Sequence, residues 1–322
     1  MATLMPTAQE RERRTQETVR RSIEAGGVKW SALLFHLFLL LMLLVSLGIL
    51  IVLLGDILIS AWPTFRDRGF GFVTSGLSLS PETAGVSTAI IGSLVISLIV
   101  IVLAFPVGVA AAVYLEEYAP DNRLSRFIDT TVRNLASVPS IVFGLLGLAV
   151  FVGVVNGIGL GGNTSGKNVI TAGITMAVLV LPIVIITSAE AIRAVPNTIR
   201  EAGFGVGATR WETIRHHIIP AAAPGILTGT VLTLARAFGE TAPLLVIGVA
   251  TGYFAPPAGA GVMEQLTGPY TALPVVVFSW TRQTQEEFIS TLVPAAIVVL
   301  LVVLFIMNAV AIYVRNQYER KW

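Results

Sequence analysis

Long apolar stretches alternate with shorter polar segments along most of the chain. Because a helix needs about 20 consecutive apolar residues to cross the hydrocarbon core of a bilayer, each long stretch predicts a transmembrane helix. The pattern predicts six of them, at residues 31–60, 86–114, 138–155, 169–188, 225–250 and 288–314. We therefore predict an all-α integral membrane protein with six transmembrane helices.

The polar segments predict the orientation of these helices, since segments rich in Lys and Arg stay on the cytoplasmic side. With the N-terminus inside, the cytoplasmic segments hold sixteen of the 21 Lys and Arg residues, and the opposite side holds four. Both termini are thus predicted to be cytoplasmic, as an N-terminal tail (1–29) and a C-terminal tail (315–322). We expect a first helix (30–60), a core of five helices (86–314), and a cytoplasmic loop (190–220) between helices four and five. The loop at 251–261, on the outer side, is rich in Gly and Pro.

The composition supports this class and excludes others. Only 12% of the 322 residues are charged, about half the share in soluble domains, so we expect a multi-pass protein in a lipid bilayer. The absence of cysteine excludes disulfides and Cys-ligated metals. Three histidines are too few for a metal site, so we predict no metal, no cofactor and no catalytic residue. A net charge of +2 is too small to indicate a nucleic-acid partner.

The sequence of the cytoplasmic loop predicts two short helices. It reads EAIRAVPNTIREAGFGVGATRWETIRHHIIP. Pro196 can begin the first helix, and three nearby glycines can end it. Thr209 and Glu212 have the spacing of a capping box. In the second helix we expect one face to carry Trp211, Ile214 and Ile218, and we expect Pro220 to end the helix. From the pattern alone, this loop either lies on the lipid headgroups or docks a partner.

The fifth apolar stretch contains charges in the sequence RAFGETAPL. Arg236 lies near its midpoint, where a charge costs about 2.5–3.5 kcal/mol on insertion scales. Glu240 follows one helical turn later and can pair with it. Pro243 removes a backbone donor and crowds the carbonyl of Gly239, so Gly239 and Pro243 predict a break in the helix.

Two interpretations of these charges remain open. They can form an ion pair that only joins helices, or Arg236 can face the path of an anion, with Glu240 holding the guanidinium or tuning anion binding. Arginine suits an oxyanion because its planar fork donates two parallel hydrogen bonds. Thr241 can offer a hydroxyl to the same anion or simply cap the second half of the helix.

A further stretch resembles a phosphate-binding loop but does not qualify as one. Residues 161–167 (GGNTSGK) have the spacing G-x-x-x-x-G-K. However, Asn168 occupies the position of the Mg²⁺-binding Ser or Thr, no strand precedes the loop, and the topology places it outside. We therefore predict that the chain is not an ATPase.

For the aromatic and acidic residues at the predicted helix ends, we expect roles at the membrane surface. We expect Trp62, Tyr270 and Trp280 to be anchors at the outer membrane interface. Glu116 and Glu117 end the second helix on the cytoplasmic side and are expected to be solvated.

The cytoplasmic loop resembles the EAA loop of ABC-importer permeases. It has Glu201, Ala202 and Gly203, then Gly207, and then Ile219 and Pro220 at the end. Gly203 replaces the usual second alanine, and Ile219 replaces leucine. In that family the loop forms a coupling helix seated in a groove of a separate ATPase. The resemblance therefore favours docking over lipid contact.

RAFGETAPL resembles the fifth-span sequence of PstA-type permease subunits of bacterial phosphate importers, in the binding-protein-dependent transport permease family with its MetI-like fold. Residues 136–152 and 271–288 resemble further signatures of that group, and Ala242-Pro243 favours the A type over the sister C type. The resemblance implies phosphate as substrate. It also implies four partner chains: a PstC-like sister permease as heterodimer, two copies of a PstB-like cytoplasmic ATPase, and an extracytoplasmic PstS-like phosphate-binding protein. It implies the plasma membrane of a bacterium or archaeon.

Two other functions remain open at this point. A permease for another oxyanion, such as sulfate, molybdate or phosphonate, would share the coupling loop but lack GETAPL. An ATPase-independent secondary transporter or channel would not need a docking loop.

Overall fold

The computed structural model describes residues 30–248 and 261–318, and the regular structure within these ranges is helical. Six helices in the described ranges are long and apolar enough to cross a membrane, which confirms the predicted all-α membrane fold. We number them spans 1 to 6: Trp30–Arg68, Ser87–Tyr118, Ser140–Gly157, Val169–Arg193, Arg210–Gly239 and Phe288–Gln317. The shorter helices are Gly71–Thr74, Arg123–Leu135, Asn197–Gly205, Ala242–Ile247, Val262–Thr267 and Leu273–Trp280.

Several predicted features lie outside the described residues. They are the N-terminal tail (1–29), the end of the fifth predicted helix (249–250), the outer loop from 251 to 260, and the last four residues (319–322).

The chain divides into two units, with the boundary after Asp56. The first unit contributes residues 30–56 to the described structure, as one continuous helix. At about 1.5 Å per residue this stretch measures roughly 40 Å, which is enough to cross a hydrocarbon core of about 30 Å. The second unit contains the remaining spans.

Span 4 lies at the centre of the second unit, where 67% of its most apolar stretch is buried. A helix that is apolar on every side belongs in such a position. Small residues let spans 2 and 4 approach closely: a Cβ added to Gly108 would lie 2.6 Å from Cγ1 of Val184, and one added to Gly173 would lie 2.5 Å from Cγ2 of Ile99. This pair of spans forms the frame on which the cytoplasmic loop and span 5 pack.

Pro220 does not end the second helix of the cytoplasmic loop, so that expectation was wrong. The helix runs from Arg210 through Pro220 to Gly239. This helix contains a π-turn, Ile214–Ile218, which ends two residues before Pro220. The amide of Ile219 donates to the carbonyl of Ile214. Because a π-turn inserts an extra residue into the helix, the carbonyl that a proline would otherwise crowd is displaced, and the helix continues.

The outer segment after residue 261 folds back into the protein. Its helix Leu273–Trp280 is buried on most of its surface. Trp280 is 1% exposed and packs between Phe72 and Phe288, with ring centroids 6.3 and 5.4 Å away. Tyr270 is also buried. The anchor prediction was therefore wrong for Trp280 and Tyr270, because the outer segment that carries them packs inward, whereas Trp62 is exposed.

Candidate functional site

The helix of span 5 ends at Gly239, in the middle of RAFGETAPL. Glu240 adopts an extended conformation (φ −75°, ψ 124°), and a second helix, Ala242–Ile247, begins after Thr241. Pro243 lies in the first turn of this second helix, where its missing N–H needs no acceptor. The side chain of Thr241 makes no capping hydrogen bond, so its hydroxyl is not used in the way that the capping interpretation requires.

Arg236 lies in the last turn before this break, and its side chain is 57% exposed. Within the described ranges, its one polar contact is between Nε and Oε1 of Glu240, at 3.7 Å. That distance is too long for a hydrogen bond, so the ion pair leaves the N–H donors of the guanidinium available. Glu240 is more shielded, with 20% of its side chain exposed.

The packing of spans 4 and 5 gives the depth of Arg236. Gly225 approaches Ala191, and Gly229 approaches Thr187, which fixes an antiparallel register between the two helices. Extending this register by two helical turns brings Arg236 level with Val180, the middle of span 4. Arg236 is therefore near the midplane of the membrane-spanning bundle.

Span 3 holds the second half-helix in place. A Cβ added to Gly144 would lie 2.7 Å from the Cα of Pro243, and one added to Gly147 would lie 3.1 Å from Cδ1 of Ile247. Only glycine permits this approach of helix backbones. The break in span 5 is thus braced by a specific stretch of span 3.

The cytoplasmic loop forms a short helix, Asn197–Gly205, followed by a turn into span 5. We call it the coupling helix, after the role that the sequence predicts for it. Glu201 and Ala202 are exposed on this helix, whereas Gly203 is buried. Gly207 has φ +85°, a conformation that L side chains rarely adopt. Thr209 then begins span 5 with the predicted capping box, in which its amide donates to Oε2 of Glu212 at 2.8 Å.

The third residue of the EAA-like pattern, Gly203, has a clear packing reason, which the residues at the end of the pattern do not share. Ile219 is half-buried and Pro220 is exposed in the first turn after the π-turn. A Cβ added to Gly203 would lie 2.7 Å from Oγ1 of Thr213, which is fully buried. Gly203 therefore replaces the usual alanine where the coupling helix crosses the start of span 5.

Three large apolar side chains of this loop are exposed. Phe204 is 51% exposed, Val206 83% and Trp211 53%. We expected Trp211 to share one face with Ile214 and Ile218, and this expectation was wrong. Ile214 and Ile218 are buried, whereas Trp211 is exposed. An apolar patch at such a position is typical of a protein–protein or membrane contact.

The expectation for the acidic pair at the end of span 2 was wrong. Glu117 is 8% exposed and pairs with Arg200 of the coupling helix at 2.8 Å. Glu116 pairs with Arg193 at the end of span 4. Sequence reasoning missed both pairs because no local spacing connects residues about 80 positions apart.

The stretch that resembles a phosphate-binding loop leads into a helix cap. Gly162–Thr164 forms a short 3₁₀ turn, and the side chain of Asn168 caps span 4 by accepting from the amide of Thr171 at 3.2 Å. Asn168 also donates to the carbonyl of Leu160 at 2.7 Å. These bonds give Asn168 a structural role.

Comparison with known proteins assigns the family. The model of the family described as binding-protein-dependent transport system inner membrane component matches residues 104–317. The chain belongs to this permease family. The matched region covers every span from the middle of span 2 onward, together with the coupling helix and the break in span 5.

Relatives of two phosphate-permease types resemble this permease. It is 31% identical to the phosphate transport system permease protein PstC of Mesorhizobium japonicum, over 85% of this chain and 88% of that protein. It is 34% identical to PstA 1 of Mycobacterium tuberculosis, over 81% of this chain and 78% of that protein. A probable ABC transporter permease of Bacillus subtilis, YqgI, is 35% identical, but the match spans only 57% of its length.

Solved structures of ABC transporters share the fold of this permease. One is a bacterial alginate ABC transporter in complex with its alginate-bound periplasmic protein, with a TM-score of 0.56 and 18% identity over 92% of this chain and all of that chain. Another is the MetNI methionine transporter in inward-facing conformations, with a TM-score of 0.54 and 16% identity over 73% of this chain and 96% of that chain. At this identity, the comparison supports the fold alone.

Proposed function

We propose that this permease is the A-type subunit of an ATP-driven phosphate importer in a bacterial plasma membrane, where it forms half of the translocation pathway. The relatives named for phosphate transport match more than four fifths of the chain. They are of both the A and the C type at similar identity, so the A-type assignment rests on Ala242-Pro243 in RAFGETAPL.

The observation that carries the substrate proposal is that the guanidinium of Arg236 is exposed and makes no hydrogen bond to Glu240. A buried ion pair would saturate the guanidinium, but here Glu240 lies 3.7 Å away and more than half of the arginine side chain is exposed. An arginine at midplane is costly unless it has a partner or a function. Phosphate offers the oxygen pairs that match the guanidinium fork. Arg236 therefore binds phosphate in transit, and Glu240 positions the guanidinium from the extended residue after the helix.

Thr241 completes the proposed pathway site. It adjoins the break, and its hydroxyl is not engaged in a cap. The second half-helix is only six residues long as described, so the site does not depend on a helix dipole. Gly239 and Pro243 contribute by ending one helix and beginning the next, which places Glu240 and Thr241 between the two helices.

The coupling helix and the following turn form the proposed ATPase contact. Glu201 and Ala202 face outward and Gly203 sets the crossing with span 5, while Gly207 makes the turn, and Ile219 and Pro220 continue into span 5. The exposed side chains of Phe204, Val206 and Trp211 supply the apolar surface that a groove on the ATPase would cover.

The proposed complex contains this permease, a C-type sister permease, two copies of a cytoplasmic ATPase, and an extracytoplasmic phosphate-binding protein. ATP binding closes the ATPase pair and opens the spans outward, phosphate enters from the binding protein, and hydrolysis returns the pathway to the inward-open state. The sister permease contributes the second half of the pathway.

The test is ATP-dependent uptake of labelled phosphate into proteoliposomes that contain the whole complex. Losing a hydrogen bond to a charged group costs about 1.5–3 kcal/mol, so we expect Arg236→Gln to lower the apparent affinity for phosphate about 10- to 100-fold. Arg236→Lys should recover part of it, because lysine keeps the charge but not the fork. The matched control is Arg282→Gln, which removes one positive charge from the outer segment.

The outcomes separate the alternatives. Wild-type kinetics in Arg236→Gln would refute the role of Arg236 while leaving the importer intact. Inhibition by excess sulfate or molybdate would move the substrate to another oxyanion. Phosphate uptake without ATP would show that the protein is a secondary transporter and not a subunit of an ATP-driven importer.

A further inference from the structure

Arg200 of the coupling helix has an unusually complete set of partners. Its Nε and Nη2 both donate to Oε1 of Glu117, at 3.1 and 2.8 Å. Nη1 donates to the carbonyl of Val195 at 2.7 Å and to Oδ1 of Asn197 at 3.2 Å. Nη2 also donates to the carbonyl of Ile192 at 3.0 Å. A guanidinium has five N–H donors, so the structure gives an acceptor to each of them.

These acceptors come from different parts of the bundle. Glu117 lies in the π-turn Tyr114–Tyr118, which ends span 2. Ile192 is in the last turn of span 4, and Val195 is in the short linker that follows. Arg200 therefore joins the coupling helix to span 2 and to the carboxyl end of span 4, where the helix dipole favours a cation.

The contact is shielded from solvent. The side chain of Arg200 is 19% exposed and that of Glu117 is 8% exposed. Ala112, Val113 and Ile192 belong to the apolar cluster beside it. An ion pair in such surroundings is screened little by salt, and its multiple bonds fix the angle between the groups as well as their distance.

The chain connection explains why this contact matters. The coupling helix is joined by covalent linkers to spans 4 and 5, since residues 194–196 lead into it and residues 206–209 lead out of it. Span 2 has no such connection. A movement of the coupling helix reaches span 2 only through side-chain contacts, and the Arg200–Glu117 pair is a direct, oriented contact of this kind.

We propose that Arg200 is a positioning residue that transmits movement of the coupling helix to span 2 through Glu117. The proposal rests on the proposed function, because it assumes that an ATPase moves the coupling helix. It adds that the permease needs this one guanidinium to convert ATP hydrolysis into reorientation of span 2, and that the adjacent Arg193–Glu116 pair does not serve this purpose.

The adjacent pair is a natural control. Arg193 donates to both oxygens of Glu116, with Nε at 3.2 Å from Oε2 and Nη2 at 2.5 Å from Oε1. This pair joins span 4 directly to span 2 and bypasses the coupling helix. Its arginine is 58% exposed. Glu116→Gln and Glu117→Gln are therefore the same change at neighbouring positions, but only the second removes the negative charge that pairs with the coupling helix.

The experiment measures phosphate uptake and ATP hydrolysis in the same proteoliposomes with the whole complex. In Arg200→Lys and in Glu117→Gln we expect ATP hydrolysis without the binding protein to stay within about twofold of wild type. With the whole complex, we expect the phosphate carried per ATP to be lowered at least threefold. Glu116→Gln should keep the wild-type ratio. If both residues act through one bond, the double variant should be no worse than the more impaired single variant. Equal ratios in all variants would overturn the proposal, as would equal loss in Glu116→Gln.

A second readout separates this proposal from the substrate assignment. Stimulation of ATP hydrolysis by the loaded binding protein passes through the same contact and does not depend on which anion is carried. We expect the stimulation to fall in Arg200→Lys and to persist in Glu116→Gln. If the wild-type complex carries another anion, the proposed function fails while this comparison still decides the role of Arg200. If Glu117→Gln does not assemble, the milder Arg200→Lys decides it, and unchanged stimulation there refutes the proposal.

Discussion

Replacing Gly203 by alanine tests whether the crossing of the coupling helix and span 5 is as close as the structure indicates. The added Cβ would lie 2.7 Å from Oγ1 and 2.8 Å from Cγ2 of Thr213. Thr213 cannot swing away easily, because it is fully buried and its Oγ1 donates to the carbonyl of Thr209 at 3.1 Å. The clash must therefore be relieved by movement of the helix.

The magnitude follows from two opposing effects. Overpacking of this kind costs about 1–3 kcal/mol, whereas alanine is better than glycine inside a helix by about 1 kcal/mol. Gly205 lies on the same helix and has no atom within 4 Å of an added Cβ. Gly205→Ala shares the gain in helix propensity but not the clash. We therefore expect Gly203→Ala to be less stable than Gly205→Ala by about 1–3 kcal/mol.

The assay is thermal unfolding of the purified complex in detergent, with both variants measured against wild type. Thr213→Ala removes the clashing atoms, so the double variant Gly203→Ala/Thr213→Ala should recover most of the lost stability, as a positive coupling in a double-mutant cycle. Equal stability of Gly203→Ala and Gly205→Ala would refute the close crossing. Loss of stability without recovery in the double variant would assign the effect to another contact.

Two further substitutions test the outer half of the bundle. Gly144→Ala should lower stability by about 1–3 kcal/mol and reduce uptake, because its Cβ would press on the backbone of Pro243. Gly153→Ala in the same span, where an added Cβ has no atom within 4 Å, should change neither stability nor uptake. Similar effects of the two substitutions would contradict the conclusion that span 3 braces the break in span 5. Trp280→Ala should cost about 3–5 kcal/mol in unfolding free energy, whereas Trp62→Ala, at an exposed position, should cost less than about 1 kcal/mol; a similar cost for the two would mean that both act as interface anchors.

Features with a local cause could be predicted from the sequence. The six spans follow from the length of apolar stretches, and the capping box at Thr209 follows from the spacing of two residues. The permease family follows from short signatures whose spacing is fixed. In each case the residues that determine the feature are neighbours in the chain, so that the sequence contains the whole physical argument.

Features that depend on distant residues could not be predicted. Glu117 ends a predicted span and was expected to be solvated, but its partner Arg200 is 83 residues away. Trp280 fits the rule for membrane-interface aromatics, yet its helix turns inward and packs on Phe72 and Phe288. Pro220 has a local rule that predicts a helix end, but the preceding π-turn overrides it.

Arg200 and Arg236 illustrate why donor satisfaction separates structural from ligand-binding roles better than position or charge. The two residues carry the same group, and each has a glutamate within 4 Å. Arg200 directs each of its N–H donors to an acceptor of the same chain, so an anion could bind it only by breaking those bonds. Arg236 makes one contact too long for a hydrogen bond and keeps its donors available. An anion would therefore gain more at Arg236 than at Arg200, and this difference in free donors is the basis of the two proposed roles.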